Sequence, residues 1–185
     1  NRHDLFLFKN LFKLKSSEVV LTFGSGIQIN NKVSKIKKKQ VKKTVLFPSR
    51  VLLDKGIREF LYVSKKLKKR FKNWNFVVAG SLDYKSPMAL SKEQINKSKD
   101  FGVKFLGYRK DILNVLNRST IVCLPSYREG MPKVLLEASI LGKPIVTTDI
   151  PGCKDIVHLC KNGILVKPKN KHSLYLGLKK MFTIK

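Results

Sequence analysis

From Thr44 onward, short runs of β-branched and apolar residues alternate with segments whose apolar residues recur at helical spacing. This alternation is typical of repeated strand-helix units that build a parallel sheet with helices on both faces. It therefore predicts a doubly wound α/β domain. The predicted strands are Thr44–Phe47, Asn75–Ala79, Val103–Leu106, Ile121–Leu124, Pro144–Thr147 and Gly163–Val166.

Five helices are predicted between or after these strands. The first begins near Lys55 and has an apolar stripe that includes Ile57, Phe60 and Leu67. The basic residues between Lys65 and Arg70 lie largely on its solvent-exposed side. The other four are Lys92–Lys99, Lys110–Asn117, Pro132–Leu141 and Lys171–Met181, and Gly142 is expected to end the helix before it in a left-handed cap.

Residues 1–43 have a different pattern. Leu5, Phe8 and Leu11 recur at helical spacing among lysines, whereas Lys32–Lys43 is basic and poor in core residues. We therefore predict a remnant of a preceding domain and a basic linker over 1–43, followed by one domain over 44–185. The start lacks an initiator Met, which suggests a fragment.

The chain is strongly basic. Lys and Arg number 39 against 12 for Asp and Glu, and the net charge of +27 should attract polyanions such as nucleic acid, anionic lipid or a nucleotide phosphate. Lysine enrichment from biased codon usage would give the same excess, so the bulk charge alone does not choose between these partners.

Three cysteines without a C-x-x-C pair indicate reduced thiols and a cytoplasmic protein. Three scattered histidines complete no zinc site. No apolar run approaches the roughly 18 residues of a membrane span, and the start lacks the layout of a signal peptide. The expectation is a protein without metal, membrane span or export signal.

Common phosphate motifs are absent or incomplete. Gly24–Ile29 begins like a dinucleotide fingerprint but lacks the third glycine, and there is no P-loop or nucleophile elbow. No two carboxylates stand one residue apart, the spacing that would suit a divalent ion on a diphosphate. We expect phosphate to be bound by cations and amides, with no metal and no cofactor.

Two glutamates bracket the segment that follows the strand Ile121–Leu124. Glu129 falls at the carboxyl end of that strand, where open α/β sheets bind ligands. Pro132 suits a first helical turn, whose N–H groups favour an anion. Glu137 lies roughly 12 Å further along the helix, which exceeds the roughly 5 to 9.5 Å of a glycosidase pair. Such carboxylates can instead hold two ends of an elongated ligand.

A second cluster, Arg50 and Lys55, leaves the carboxyl end of the strand Thr44–Phe47. Two cations there can clamp a diphosphate and neutralise its charge without metal. The alternative is that both are ordinary surface residues among the 39 basic ones.

Together these segments resemble the donor-binding half of the retaining family-four glycosyltransferases of the GT-B fold, from about Thr44 to Met181. In that family this half is a Rossmann-like doubly wound domain. The matching segments are Pro48-Ser49-Arg50 with Lys55-Gly56, Phe105-Leu106-Gly107-Tyr108, Leu124-Pro125-Ser126-Tyr127-Arg128-Glu129-Gly130-Met131-Pro132 through Glu137-Ala138, Gly142–Thr148, Pro151-Gly152-Cys153 and Asn162–Val166.

The resemblance implies transfer of a sugar, with retention, from a nucleotide diphosphate to an acceptor. It implies that Arg50 and Lys55 hold the departing diphosphate, and that Glu129 with the amides of Gly130 and Met131 binds donor sugar and phosphate. Glu137 would accept hydrogen bonds from the ribose, and the base would lie near Tyr108.

The subfamily that these motifs resemble extends lipid-linked bacterial glycans for capsule or lipopolysaccharide O-antigen and commonly uses UDP-linked N-acetylhexosamines. The acceptor would then be a glycan or lipid-linked glycan, met at an anionic membrane surface on the cytoplasmic side. Complete relatives also have an N-terminal domain, of which only the last elements fit before residue 43, so this chain alone should turn over weakly or not at all. The competing interpretations are a module that binds nucleic acid or an anionic surface, and a sugar-nucleotide epimerase of the same fold; no nucleic-acid reading motif favours the first.

Overall fold

The computed structural model describes residues 2–22, 26–27 and 43–184. Six parallel strands form one sheet in the order β3-β2-β1-β4-β5-β6. The predicted doubly wound parallel sheet is therefore confirmed. The strands are β1 (Thr44–Phe47), β2 (Asn75–Val78), β3 (Val103–Phe105), β4 (Ile121–Leu124), β5 (Ile145–Thr148) and β6 (Gly163–Val166).

The seven α-helices of the described part of the chain are α1 (Arg2–Phe12), α2 (Ile57–Arg70), α3 (Lys92–Lys99), α4 (Ile112–Asn117), α5 (Lys133–Ile140), α6 (Cys153–Cys160) and α7 (Lys171–Thr183). Short 3₁₀ turns occupy Ser16–Glu18 and Leu53–Lys55. The helical spacing of Leu5, Phe8 and Leu11 falls within α1, and Gly142 follows α5 with φ of +63°, as predicted.

The central strands are apolar along their whole length because both faces of the sheet are covered. All four residues of β4 and of β5 are buried, as expected for parallel strands with helices on both sides. Alternate residues of β1 enter opposite cores: Val45 and Phe47 pack with α2, α3 and α7, whereas Leu46 packs with α4, α5 and α6.

The two helices α2 and α7 lie side by side on the first of these faces. Phe60 and Leu67 of α2 and Leu174 and Leu178 of α7 belong to the same core. At the end of α7, the ring of Phe182 stacks on Trp74 with centroids 3.8 Å apart, which fixes the end of the helix against the turn before β2.

One helix was missed by the sequence prediction. Cys153–Cys160 forms α6, which lies between β5 and β6. Its buried residues, Cys153, Ile156 and Val157, do follow helical spacing. The helix starts directly after the pair Pro151-Gly152, which is typical of a turn, and the φ of +82° at Gly152 is uncommon for an N-cap.

Two predictions fall partly or wholly on residues outside the described ones. Most of the linker Lys32–Lys43 lies there, and of the Gly24–Ile29 segment only Gly26 and Ile27 are described. The domain boundary near Lys43 therefore stays a prediction.

Candidate functional site

The sheet grows in opposite directions from β1 and β4, which are neighbours although β2 and β3 separate them in sequence. The loops that follow these two strands leave the same edge of the sheet and diverge. A crevice at such a point is where open α/β sheets bind ligands. Of the residues predicted for the site, Arg50 and Lys55 follow β1, whereas Glu129, Gly130 and Met131 follow β4.

Lys55 and Glu129 meet across this point. The Nζ of Lys55 lies 2.8 Å from Oε1 of Glu129, and each side chain is only 15% exposed. Ser126 donates a hydrogen bond of 2.7 Å to the same oxygen. A lysine has three N–H donors and this pair uses one of them. Lys55 is therefore a fixed cation that retains donors for an anion.

Two loops approach this pair so closely that only glycine fits between them. A Cβ on Gly56, which has φ of +76°, would lie 2.1 Å from the carbonyl oxygen of Pro125. The amide of Tyr127 also donates a 2.8 Å hydrogen bond to the carbonyl of Asp54. The loop after β1 is thus held directly against the loop after β4, which positions Lys55 opposite Glu129.

The loop after β5 is joined to the same site by a second close approach. A Cβ on Gly152 would lie 1.9 Å from the carbonyl oxygen of Gly130. The hydroxyl of Thr148, at the end of β5, donates to the carbonyl of Ser126. Three consecutive strands of the sheet therefore contribute to one packed edge.

A buried carboxylate anchors the loop after β4 to α2. Tyr127 donates a 2.7 Å hydrogen bond from its hydroxyl to Oε2 of Glu59, a residue only 6% exposed. Burial, together with this carboxylate, raises the pKa of Tyr127. Tyr127 is therefore an un-ionised donor, and it connects α2 with the segment that carries Glu129.

Cys153, the first residue of α6, is fully buried at the same edge of the sheet. Burial raises the pKa of this thiol to about 12. A thiol that stays protonated at neutral pH is a poor nucleophile. Cys153 therefore contributes packing beneath the site.

A cleft of about 340 Å³ opens beside Glu129. Tyr127, Arg128 and Glu129 line one side, and Ile150 and Pro151 line another. The remaining wall comes from α1, through Asp4 and Leu7. No sequence pattern indicated that α1 would border the site, because such a contact joins residues at least 120 positions apart.

The other predicted residues after the strands are not joined to this pair. Arg50 is exposed and makes no side-chain hydrogen bond or ion pair with another described residue. Tyr108, three residues beyond β3, is 71% exposed. Both lie at the carboxyl edge of the sheet, so each remains available to a ligand there, but their predicted roles are still predictions.

Gly130 and Met131 directly precede Pro132, the N-cap of α5. A Cβ on Gly130 would meet nothing within 4 Å, so its own surface is open toward solvent. Glu137 lies one turn after Lys133 in α5; burial raises the pKa of its carboxyl and the nearby Lys133 charge opposes that rise. The predicted contacts of these residues with sugar, phosphate and ribose stay predictions.

The part of the chain that the structure describes holds no group of three His, Cys, Asp or Glu side chains that could bind a metal ion. Metal-free phosphate binding remains a prediction. Among the same residues no helix is long and apolar enough to cross a membrane.

Sequence reasoning did not identify the roles of Ser126, Glu59 and Tyr127. Ser126 and Tyr127 belong to the matching segment that runs from Leu124 to Ala138, but nothing in their spacing indicated their partners. Glu59 falls on the apolar side of α2, beside the core residues Ile57 and Phe60. A carboxylate at such a position was the available signal, because buried carboxylates have partners.

The fold defines a doubly wound α/β domain with a crevice at the carboxyl edge of its sheet. The sequence of the chain identifies its family. Residues 28–185 match the family model of the glycosyl transferases group 1, so the chain belongs to this family. It has the fold of the C-terminal domain of a GT-B glycosyltransferase. This confirms the predicted fold and family and favours transfer over the epimerase alternative.

One curated relative is the N,N'-diacetylbacillosaminyl-diphospho-undecaprenol alpha-1,3-N-acetylgalactosaminyltransferase of Campylobacter jejuni. It is 38% identical over 133 residues, which are 72% of this chain and 34% of the relative. The chain thus spans about a third of the length of this relative.

Solved structures show the same fold. A variant of Staphylococcus aureus TarM, in complex with Fondaparinux, alpha-GlcNAc-glycerol and UDP, superposes with a TM-score of 0.76 at 24% identity over 95% of this chain and 34% of TarM. The C-terminal domain of the group 1 family protein LpcC from Francisella tularensis gives 0.64 at 22% identity, over 86% of this chain and 85% of that domain.

Proposed function

We propose that this chain is the donor-binding part of a glycosyltransferase that moves a sugar, with retention, from a nucleotide diphosphate to a glycan or lipid-linked acceptor. The observation that carries the proposal is the Lys55 and Glu129 pair, held with Ser126 at the point where the loops after β1 and β4 diverge. Membership of the glycosyl transferase family supports it.

The proposed chemistry needs stabilisation of a leaving diphosphate. Negative charge grows on the diphosphate as the bond to the sugar breaks, and fixed cations and amides lower that barrier. Lys55 supplies a cation whose position is set by Glu129, and Arg50 supplies a second, unpaired one at the same edge. The amides of Gly130 and Met131, near the start of α5, supply neutral donors.

The same proposal gives the remaining residues their ligands. Glu129 contacts the donor sugar, Glu137 accepts hydrogen bonds from the ribose, and Tyr108 lies against the base. No protein nucleophile is needed: Oε1 of Glu129 already accepts two hydrogen bonds, and the Cys153 thiol stays protonated.

We propose uridine diphosphate as the nucleotide and an N-acetylhexosamine as the sugar. The TarM structure with the same fold holds UDP, and the Campylobacter relative is by name an N-acetylgalactosaminyltransferase that acts on an undecaprenol-linked sugar. We further propose that the protein acts in the cytoplasm. We also propose that turnover requires an acceptor-binding domain in addition to the residues of this chain, which cover 34% of that relative.

Calorimetric titration of the 185-residue chain with UDP, GDP, ADP, UDP-GlcNAc and UDP-GalNAc tests the proposal. We expect UDP compounds to bind and to bind equally well after chelation of divalent ions. The variant Lys55→Ala should lose affinity for every diphosphate. Its matched control is Lys97→Ala, which breaks the exposed Lys97 and Glu93 pair on α3 and should leave affinity unchanged. Absence of binding by all five ligands would contradict the proposal.

A further inference from the structure

The outer surface of α2 and α7 carries a dense group of cations around two exposed hydrophobic side chains. We call it the basic platform and define it by Tyr62, Lys66, Lys69, Lys171, Leu176 and Lys180, all of which are exposed. We propose that the basic platform docks the protein on an anionic lipid bilayer. The proposal goes beyond sugar transfer and does not depend on it.

The two helices of this face carry a large excess of positive charge. Together α2 and α7 contain nine Lys and Arg side chains and a single carboxylate, Glu59. Glu59 is buried and accepts the hydrogen bond from Tyr127, so it does not offset the outer cations. The result is a surface of uncompensated positive charge.

The opposite face of the sheet gives an internal comparison. There, α5 and α6 contain two lysines and two carboxylates, and α4 contains no charged residue. A lysine excess that came from composition alone would appear on the helices of both faces. Among these five helices, the excess of cations is therefore confined to α2 and α7.

The platform is a single continuous surface because the two helices lie side by side and share side-chain contacts. The ring of Tyr62 has the Lys66 ammonium 4.8 Å from its centroid and the Lys171 ammonium 5.0 Å from it. Tyr62 thus joins a cation of α2 to a cation of α7. No carboxylate lies within ion-pair distance of these lysines in the described part of the chain.

The chemistry of the platform fits a bilayer better than nucleic acid. Tyr62 is 40% exposed and Leu176 is 48% exposed, and aromatic and aliphatic side chains among lysines are typical of surfaces that enter the headgroup layer. Base reading uses Asn, Gln and Arg, whereas the residues of the basic platform include none of these three types. We therefore commit to anionic phospholipid as the partner.

Co-sedimentation with sucrose-loaded vesicles tests the proposal. The full chain should pellet with equimolar phosphatidylcholine and phosphatidylglycerol, and pelleting should fall steeply with salt because the attraction is electrostatic. The variant with Lys66→Glu, Lys69→Glu and Lys180→Glu should partition at least about tenfold more weakly, since each of these cations lies near the proposed lipid surface.

A control variant with the same change in net charge separates a local surface from a general effect. Lys104→Glu, Arg118→Glu and Lys161→Glu alter exposed cations that lie away from the basic platform; Lys104 and Arg118 line a groove on the opposite face of the sheet. This variant should keep most of the vesicle binding. Equal loss in both triple variants would overturn the proposal, as would equal pelleting with pure phosphatidylcholine, which would indicate the exposed apolar residues of α1 instead.

A spectroscopic readout tests whether the platform itself contacts lipid. The chain contains one tryptophan, Trp74, and it is buried. In the variant Leu176→Trp, the emission of the new indole should shift to shorter wavelength with anionic vesicles and stay unchanged with duplex DNA. A blue shift with DNA and none with vesicles would overturn the proposal in favour of nucleic acid.

Discussion

Lys55 and Glu129, 74 positions apart in the sequence, meet at 2.8 Å where the loops after β1 and β4 come together. Each side chain is mostly buried, so water screens the pair less than it would on the open surface. The contact therefore has two effects. It connects the two loops, and it holds a cation at the carboxyl edge of the sheet.

Removal of that cation should weaken nucleotide binding. Lys55→Ala is expected to reduce the binding free energy of UDP by about 1.5 to 3 kcal/mol, the value of a hydrogen bond to a charged group. Calorimetric titration measures the loss. Unchanged affinity would show that Lys55 only connects the loops.

Arg50 should contribute to binding without contributing to stability. It is exposed and has no side-chain partner among the described residues, so Arg50→Ala should leave the unfolding midpoint in urea unchanged and reduce the binding free energy of UDP by about 1.5 to 3 kcal/mol. Arg118→Ala, which removes another exposed arginine, is the matched control and should change neither quantity. Equal affinities of the two variants would make Arg50 an ordinary surface residue.

Glu137 should discriminate between ligands with and without a ribose. Glu137→Gln is expected to weaken UDP binding while leaving inorganic pyrophosphate almost unaffected, because the proposed partner is a sugar hydroxyl. Calorimetric titration of the parent chain and of Glu137→Gln with UDP and with pyrophosphate measures both affinities. A parallel loss for pyrophosphate would rule out the ribose contact.

The same residue should give a pH-dependent effect on stability. Burial raises the pKa of Glu137 above its ordinary 4.5, so its stabilising contribution is complete below pH 4.5 and is lost as the pH rises through the folded-state value. Glu137→Gln should therefore have a higher Tm than the parent chain at neutral pH, and the difference should vanish at pH 4 and below. Glu93→Gln, at an exposed glutamate of α3, should show no such gain.

The hydrogen bond from Tyr127 to Glu59 should stabilise the fold. Tyr127→Phe leaves a buried carboxylate without that donor and should lower the free energy of unfolding by about 1 to 3 kcal/mol. Urea denaturation of Tyr127→Phe, Glu59→Gln and the double variant gives the coupling energy. Strict additivity of the two single changes would mean that the residues do not interact in solution.

Gly56 should tolerate no side chain. A Cβ there would meet the Pro125 carbonyl at 2.1 Å and would also sit at φ of +76°. Gly142 has a similar φ of +63° and open space around it, so Gly142→Ala isolates the backbone cost of about 1 to 2 kcal/mol. We expect Gly56→Ala to destabilise the chain by at least about 2 kcal/mol more, and equal unfolding midpoints would contradict the close approach of the two loops.

The sequence predicted the fold well because a parallel sheet covered on both faces leaves a strong one-dimensional pattern. Buried strands such as β4 appear as unbroken apolar runs, and long helices such as α2 show a clear stripe. The helix α6 was missed because it begins directly after the pair Pro151-Gly152, which is typical of a turn. The strand β5 begins one residue later than predicted, because Pro144 has no N–H to donate to the ladder.

The site was only partly predictable. Position after a strand located Lys55 and Glu129 at one edge, because all parallel strands end there. Their direct pairing depends on how two loops fold, and so does the donation from Ser126. The wall contributed by Asp4 and Leu7 depends on how α1 packs, which no local pattern reports.

The contact between Gly152 and the carbonyl of Gly130 has a consequence for the engineering of this domain. Loops that touch through bare backbone cannot be lengthened or exchanged one at a time, because a graft into either would displace the other and, through it, Glu129. The turn after β3 is free of this constraint: Gly107 has open space around it and Tyr108 is exposed. With the base beside Tyr108, as proposed above, variation aimed at a new nucleotide base belongs at that turn, where a change in length can be absorbed by solvent.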